Sequence, residues 1–437
     1  MNGIMIAAPA SGSGKTTVTL GLLRALVRRG VAAAPGKAGP DYIDPAFHTA
    51  ASDEVCLNFD PWASEPASLV ANAALSRRGG RMLVVEAMMG LYDGAADGTA
   101  TPADLAVTLS LPVILVVDCA KLSHSVAALV EGHRNFREMP LVAGVILNRV
   151  GSDRHEAMLR SALDARGIRV FGALRRDDAL SVPERHLGLV QASEHGGLEA
   201  FIERAGDAVE AGVDCDALVH AAGIFAPPVP EANIERLPPP GSRIAIARDT
   251  AFAFVYEHLL LGWRRRGAEI RFFSPLADEA PPTDCDAVYL PGGYPELHAG
   301  RIAAASTFHA GTAAAIERGA WVYGECGGYM VLGEGLTDEH GVRHAMLGAL
   351  PLETQFTAGR PRTLGYRKLQ PRPGFIWSGP LRGHAFHYAT TQYEGQAERL
   401  FDIADACGNP LGAAGLRRGK VAGSFMHVVD RAGSTDG

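Results

Sequence analysis

The chain has 437 residues, 47% of them hydrophobic, which exceeds one ordinary core and suits two domains. A formal net charge of −7, with no basic cluster exceeding short runs such as Arg28-Arg29 and Arg264–Arg266, argues against a nucleic-acid surface or an anionic membrane; both runs read as solvated helix ends. The six cysteines (Cys56, Cys119, Cys215, Cys285, Cys326, Cys407) lack metal-ligand spacing, and with no signal-like start and no apolar run of membrane length the expectation is a cytoplasmic protein.

Residues 1–6 read as an apolar strand running into Ala7-Ala8-Pro9-Ala10-Ser11-Gly12-Ser13-Gly14-Lys15-Thr16-Thr17, with a helix predicted over 18–29. A glycine-containing loop between strand and helix turns backbone N–H groups toward phosphate oxygens. Gly12, Ser13, Gly14, Lys15, Thr16 and Thr17 are therefore the expected ATP-binding residues, with Lys15 at the β/γ-phosphates and Thr16 also on Mg²⁺. Pro9 stands where the usual first glycine would be. After a strand-like 31–34, the segment 36–48 concentrates Lys, Asp and Tyr beside Gly and Pro, as ordered loops do at the ligand-binding carboxyl edge of an α/β sheet. Lys37 is assigned to phosphate, Asp44 to the metal and Tyr42 to substrate. A buried strand over 81–85 ends in Glu86, and a carboxylate just past a central strand is where such folds hold Mg²⁺. Asp93, further along that loop, is the lesser metal candidate and is assigned to substrate. The apolar strand 112–118, its helix 123–133 and the strand 141–147 follow, the last delivering Asn148. The Asn148 amide is expected at the adenine edge, although asparagine at a strand end also serves as a cap.

After a helix over 153–166 and a strand over 170–174, prolines cluster at 227–230 and 238–240, where neither helix nor central strand can persist. The predicted division is 1–225, a proline-rich linker 226–241, and 242–437. Strands at 243–247 and 269–273 flank a helix at 252–266, and a strand at 286–290 leads into Pro291-Gly292-Gly293-Tyr294-Pro295-Glu296. The apolar run Ala320-Trp321-Val322 then enters Tyr323-Gly324-Glu325-Cys326-Gly327-Gly328. A strand turning sharply into a helix exposes the residue at the corner, and the helix's positive end is expected to ease loss of the thiol proton at Cys326. Paired glycines in the upstream loop let Gly293 N–H join Gly327 N–H in an oxyanion hole. His427, late in the chain, is the candidate general base. Arg382–Tyr388 holds two histidines, His384 and His387, expected on one face if extended, where they would bind substrate carboxylates.

A glycine-glycine loop, an elbow cysteine and a late histidine, in that order, resemble the class I glutamine amidotransferase domain. That family places a carboxylate two residues after the histidine, where this chain has Val429; Asp430 stands nearby. The segments Lys37–Pro45, Glu86–Gly94, Pro183–Val190 and Arg382–Tyr388 closely resemble the a,c-diamide synthases of corrin-ring biosynthesis, over essentially the whole chain. Their N-terminal domain is similar to dethiobiotin synthetase. The resemblance implies two α/β domains, each a mainly parallel sheet flanked by helices, the first P-loop-like and the second amidotransferase-like. It implies ATP as co-substrate, Mg²⁺, glutamine as nitrogen donor and a corrinoid polycarboxylate acceptor, amidated at the a and c acetates through an acyl-phosphate. Hydrogenobyrinic acid is preferred as acceptor over cobyrinic acid, and a homodimer is left open. A cobyric acid synthase is the rival within the class. From another class, the chain would be a P-loop ATPase or binding module with an inactive amidotransferase-like half, which Val429 favours.

Overall fold

Continuous apolar strands bury both faces, and the first half builds a parallel sheet from them. In chain order they are β1 (Asn2–Ala7), β2 (Ala33–Ala38), β3 (Leu57–Phe59), β4 (Met82–Glu86), β5 (Val113–Asp118), β6 (Val142–Val150) and β7 (Val170–Arg175). Their spatial order is β3-β2-β4-β1-β5-β6-β7, all pairs parallel. Short strands β8 (Glu184–Arg185) and β9 (Gly188–Leu189) pair with each other, and β10 (Gly223–Ile224) runs antiparallel to the start of β1. The computed structural model describes residues 2–180, 184–185, 188–189, 197–224, 234, 236–356 and 363–433. Much of the predicted linker, at 226–233 and 235, lies outside them, as do Pro183, His186, Leu187 and Val190 of the family-like segment. The chain divides into two compact units, Met1–Ile234 and Glu235–Gly437.

The helix Lys15–Arg28 lays its apolar face on this sheet and on the helix Leu198–Gly212, with Leu20, Leu23, Ile202 and Val209 in one core. The basic pair lies at the solvated surface as expected and has exposed acidic partners there: Arg28 meets Asp207 at 2.8 Å and Arg29 meets Asp216 at 3.0 Å.

The second unit begins with β11 (Arg243–Ala247), β12 (Glu269–Phe273), β13 (Ala287–Leu290) and β14 (Trp321–Glu325). It continues with β15 (Gly335–Thr337), β16 (Arg343–Ala345), β17 (Leu352–Gln355), β18 (Thr363–Pro371), β19 (Leu381–His387) and β20 (Thr390–Glu394). It closes with β21 (Glu398–Ala404), β22 (Pro410–Arg418), β23 (Val421–Ser424) and β24 (Met426–Arg431). The main sheet has the order β12-β11-β13-β14-β23-β22-β21-β18-β19-β24; β16, β15, β17 and β20 form a smaller one. Strands β12 to β23 along that order are parallel and the rest antiparallel. The α/β class thus holds in both units, with an antiparallel half in the second that the sequence left unread. Although β24 ends the order, its Val428 N–H donates to Glu325 of β14 at 3.1 Å, so the sheet curls back on itself.

Candidate functional site

Strand register sets the chemistry of the first unit. Ile6 on β1 and Lys37 on β2 are both paired neighbours of Glu86 on β4, so lysine, carboxylate and the loop after β1 meet at one level of the sheet's carboxyl edge. The loop enters its helix at Gly14, where φ is 89° and an added Cβ would lie 2.2 Å from the Asn148 amide nitrogen; only glycine suits both demands. Helix geometry begins at Lys15, so Lys15, Thr16 and Thr17 occupy the first turn.

Glu86 is the hub. Its Oε1 accepts from Thr16 Oγ1 at 2.7 Å and from Lys37 Nζ at 2.9 Å, and its Oε2 meets His48 Nε2 at 2.6 Å. Burial alone would raise this carboxyl, but Lys37 and His48 hold it well below the usual range. Lys37 also pairs with Asp44, and against the pull of burial those two carboxylates keep its ammonium charged. Asp44 is pushed up by burial and by Asp41, and its Oδ1 has no hydrogen-bond partner. A surplus of carboxylates beside a buried, unpartnered oxygen is the condition a hard cation relieves, so Thr16, Glu86 and Asp44 fit Mg²⁺. Among the described residues no group of three or more His, Cys, Asp or Glu is arranged to hold a metal ion. Mg²⁺ bound by one or two carboxylates and by substrate phosphates requires none. Burial lowers Lys15, leaving its ammonium poorly solvated at the wall of a cleft of about 680 Å³ that Gly12, Lys37, Glu86 and Arg149 also line.

Other assigned side chains in this unit serve the loop itself. The hydroxyl of Ser13 donates to Ala10 O at 2.9 Å and that of Thr17 to Leu180 O at 3.1 Å. The Asn148 amide, expected at adenine, donates to Ser13 O at 2.9 Å, because β6 extends through Val150 and sets Asn148 beside the loop. Asp93 accepts from Gly90 N–H at 2.9 Å and so closes a turn, and Tyr42 is half-buried two residues before Asp44.

In the second unit, Cys326 occupies the corner between β14 and the helix Gly327–Leu332 with φ 50° and ψ −108°, strained for a residue with a side chain. Its N–H is anchored on Ser424 O of β23 at 2.8 Å. The thiol donates to Phe386 O at 3.4 Å, and the backbone N–H groups of Gly293 and Gly327 reach its sulfur. His427 lies near the same Phe386 carbonyl. Between them lies Gly292, where a methyl would come within 2.4 Å of His427 Cε1 and 3.2 Å of Cys326 Cβ.

Burial works against the expected acidification of the thiol. Burial, with Glu296 close by, pushes Cys326 up to about 12 against the two N–H groups. The following helix has only six residues and contributes little opposing field. His427 is driven well below its ordinary value by burial and by His384 and His387, so thiol and imidazole both rest neutral. The chamber in front of the sulfur, lined by Gly293, Tyr294, Glu296, Phe386 and His387, holds about 10 Å³, room for one water. A larger ligand enters only when these side chains move.

His384 and His387 are three residues apart, and in an extended strand that spacing puts them on opposite faces rather than one. His384 stacks on Phe386 at 6.2 Å and lies 6.4 Å from His427, whereas His387 stacks on Phe425 at 4.2 Å and lines the thiol chamber. The residue missed in the sequence is Glu325. Buried one position before the cysteine, its Oε2 lies 3.8 Å from His427 Nδ1 and accepts from Tyr289 Oη at 2.8 Å. Burial raises this carboxyl to about 7. A charged residue closing an apolar strand was the available signal. With Glu325 at the histidine, Val429 ceases to favour an inactive half.

Residues 4–190 match the CobQ/CobB/MinD/ParA nucleotide binding domain, and residues 243–433 the CobB/CobQ-like glutamine amidotransferase domain. Similar curated proteins carry the name hydrogenobyrinate a,c-diamide synthase. One from Sinorhizobium sp is 65% identical over 99% of this chain and 100% of its own. One from Brucella suis is 62% identical over 99% of each chain, and one from Rhodobacter capsulatus 52% identical over 98% of each.

Proposed function

The chain belongs to the hydrogenobyrinate a,c-diamide synthase family, and from that premise we infer that it converts the a and c acetate carboxylates of hydrogenobyrinic acid to amides, using ATP and glutamine. In the first unit a substrate carboxylate oxygen attacks the γ-phosphorus of ATP and ADP leaves. Ammonia then attacks the acyl-phosphate carbon and displaces phosphate. Such transfers depend mainly on positioning and charge neutralisation. The loop N–H groups, Lys15 and Lys37 provide both, and Asn148 holds the loop in place. Mg²⁺ held by Thr16, Glu86 and Asp44 would add charge neutralisation at the phosphates. His48 fixes the rotamer of Glu86 from behind.

In the second unit Cys326 Sγ attacks the glutamine carboxamide carbon while His427 takes the thiol proton and passes it to the departing ammonia. The oxyanion forms against Gly293 and Gly327 N–H. Water, activated by His427, then hydrolyses the thioester to glutamate. Because the thiol and imidazole rest neutral, proton transfer accompanies attack instead of preceding it. Glu325 takes the orienting place sought at Val429 or Asp430, stabilising the imidazolium as it forms. His387 belongs with the glutamine chamber.

The reading is carried by one observation: a single chain holds both a thiol facing two backbone N–H donors and a phosphate loop facing a Lys-Glu-Asp cluster. The test is a mass-spectrometric assay offering hydrogenobyrinic and cobyrinic acids with glutamine, ATP and Mg²⁺. The expected product is the diamide of the cobalt-free acid with stoichiometric glutamate. Diamide from cobyrinic acid alone overturns the choice of acceptor, and product formation without glutamate release overturns the choice of donor.

A further inference from the structure

Glu296 has no place in the chemistry derived so far, yet it lines the chamber of Cys326. It is the second residue of the short 3-10 turn Pro295–His298, three residues after Gly293 of the oxyanion pair, so backbone donor and carboxylate are carried by one short segment. Pro295 at the start of that turn packs where a Cβ on Gly327 would fall, at 2.7 Å, which locks the segment against the elbow. Among the described residues no cation pairs with Glu296, and the hydrogen bond that steadies its carboxylate comes from its own backbone N–H. Its charge is felt at the sulfur, where it disfavours thiolate.

An uncompensated carboxylate half-buried in a narrow, largely aromatic chamber is costly unless a cation arrives with the ligand. For catalysis alone it is counterproductive, since it opposes formation of the nucleophile. Burial accordingly lifts Glu296 to about 7, the response of a carboxyl waiting for a partner. The remaining chamber groups, Phe254, Tyr294, Met330, Phe386, Tyr388 and His387, carry no negative charge that would compete for a ligand cation. Glutamine brings one cation, its α-ammonium group, on the same short carbon chain as the carboxamide that must sit at Cys326.

We propose that Glu296 binds the α-ammonium group of glutamine and makes the site select the amino acid over simple carboxamides. The proposal rests on the glutaminase reading above. Pairing with the ammonium would also withdraw the field of Glu296 from the sulfur, so that the thiol is released for attack only with the right donor in place.

The test compares L-glutamine with glutaramate, the same carboxamide without the amino group, as substrates of the full-length enzyme, scored by ammonia release. Wild type is expected to prefer glutamine by about 100-fold or more in kcat/KM, as sites built around a polar group reject analogues lacking it. Glu296→Gln should raise the glutamine KM far more than it lowers kcat and reduce the preference to within a few fold of unity. Glu296→Asp, which keeps the charge, should restore part of it. A Gln variant that keeps the wild-type preference, or that loses both substrates in equal proportion while Asp restores neither, overturns the proposal and leaves the glutaminase reading intact. Wild-type enzyme that releases ammonia from neither compound overturns both.

Discussion

A thiol buried under Phe386 and beside Glu296 is a poor acid, so Cys326 should behave unlike an exposed reactive cysteine. Iodoacetamide at pH 8 is expected to modify the exposed Cys407 at least about tenfold faster than Cys326, read by peptide mapping. Preferential labelling of Cys326 would contradict the burial argument. The carboxylate neighbours divide in the same local way. Glu325→Gln should lower kcat for glutamine hydrolysis by about 10–100-fold with little change in KM, since it supports the base without touching substrate. Equal kinetics in that variant, with a large loss in Asp430→Asn, would return the orienting role to Asp430. Glu86→Gln should raise the Mg²⁺ concentration for half-maximal synthesis by at least about tenfold, because an amide is a weaker ligand for a hard cation and a weaker partner for Lys37 and His48. An unchanged Mg²⁺ titration would move the metal to other groups.

At the level of elements, β24 carries His427, the proposed general base, and is tied from outside by the helix Glu257–Arg265. His258 of that helix meets Val429 O at 2.9 Å from a fully buried position, and burial lowers it from 6.5 to about 4. The unfolded chain therefore binds the extra proton first, and stability falls as pH drops from 6.5 toward 4, by about 3 kcal/mol from this group alone. His387 and His427 are lowered by burial as well and act with the same sign. Calorimetry should show the second unit's melting temperature falling through this window, with a shallower slope in His258→Gln. A melting temperature that stays level from pH 6.5 to 4 would contradict the neutral, buried state of these rings.

For the whole molecule, the two chemistries share only ammonia. Cys326→Ala is expected to lose glutamine-dependent synthesis yet amidate the corrinoid from ammonium salts at alkaline pH, because the acyl-phosphate forms in the other unit and any NH₃ can attack it. Lys15→Ala should lose synthesis from both nitrogen sources. If the cysteine variant fails with ammonia while remaining folded and able to bind ATP, the division of labour between units is wrong.

What the sequence determined by itself was local: the strand-loop-helix of Gly12 to Thr17, the elbow at Cys326 and the glycine pair before it are each written within a dozen consecutive residues, where backbone geometry and residue type suffice. The two-unit α/β class was legible for the same reason, from buried strands that recur between helical segments. The tertiary structure decided whatever joins distant segments. Glu325 meets His427 because β23 sets Ser424 against Glu325 of β14 and β24 carries the chain straight on to the histidine. The parity of β19 separates His384 from His387. The length of β6 gives Asn148 to the phosphate loop, and packing of Phe386 over the sulfur turns an expected thiolate into a buried thiol. These outcomes depend on strand order, register and desolvation, which are properties of the assembled core and have no signature in any short stretch of chain.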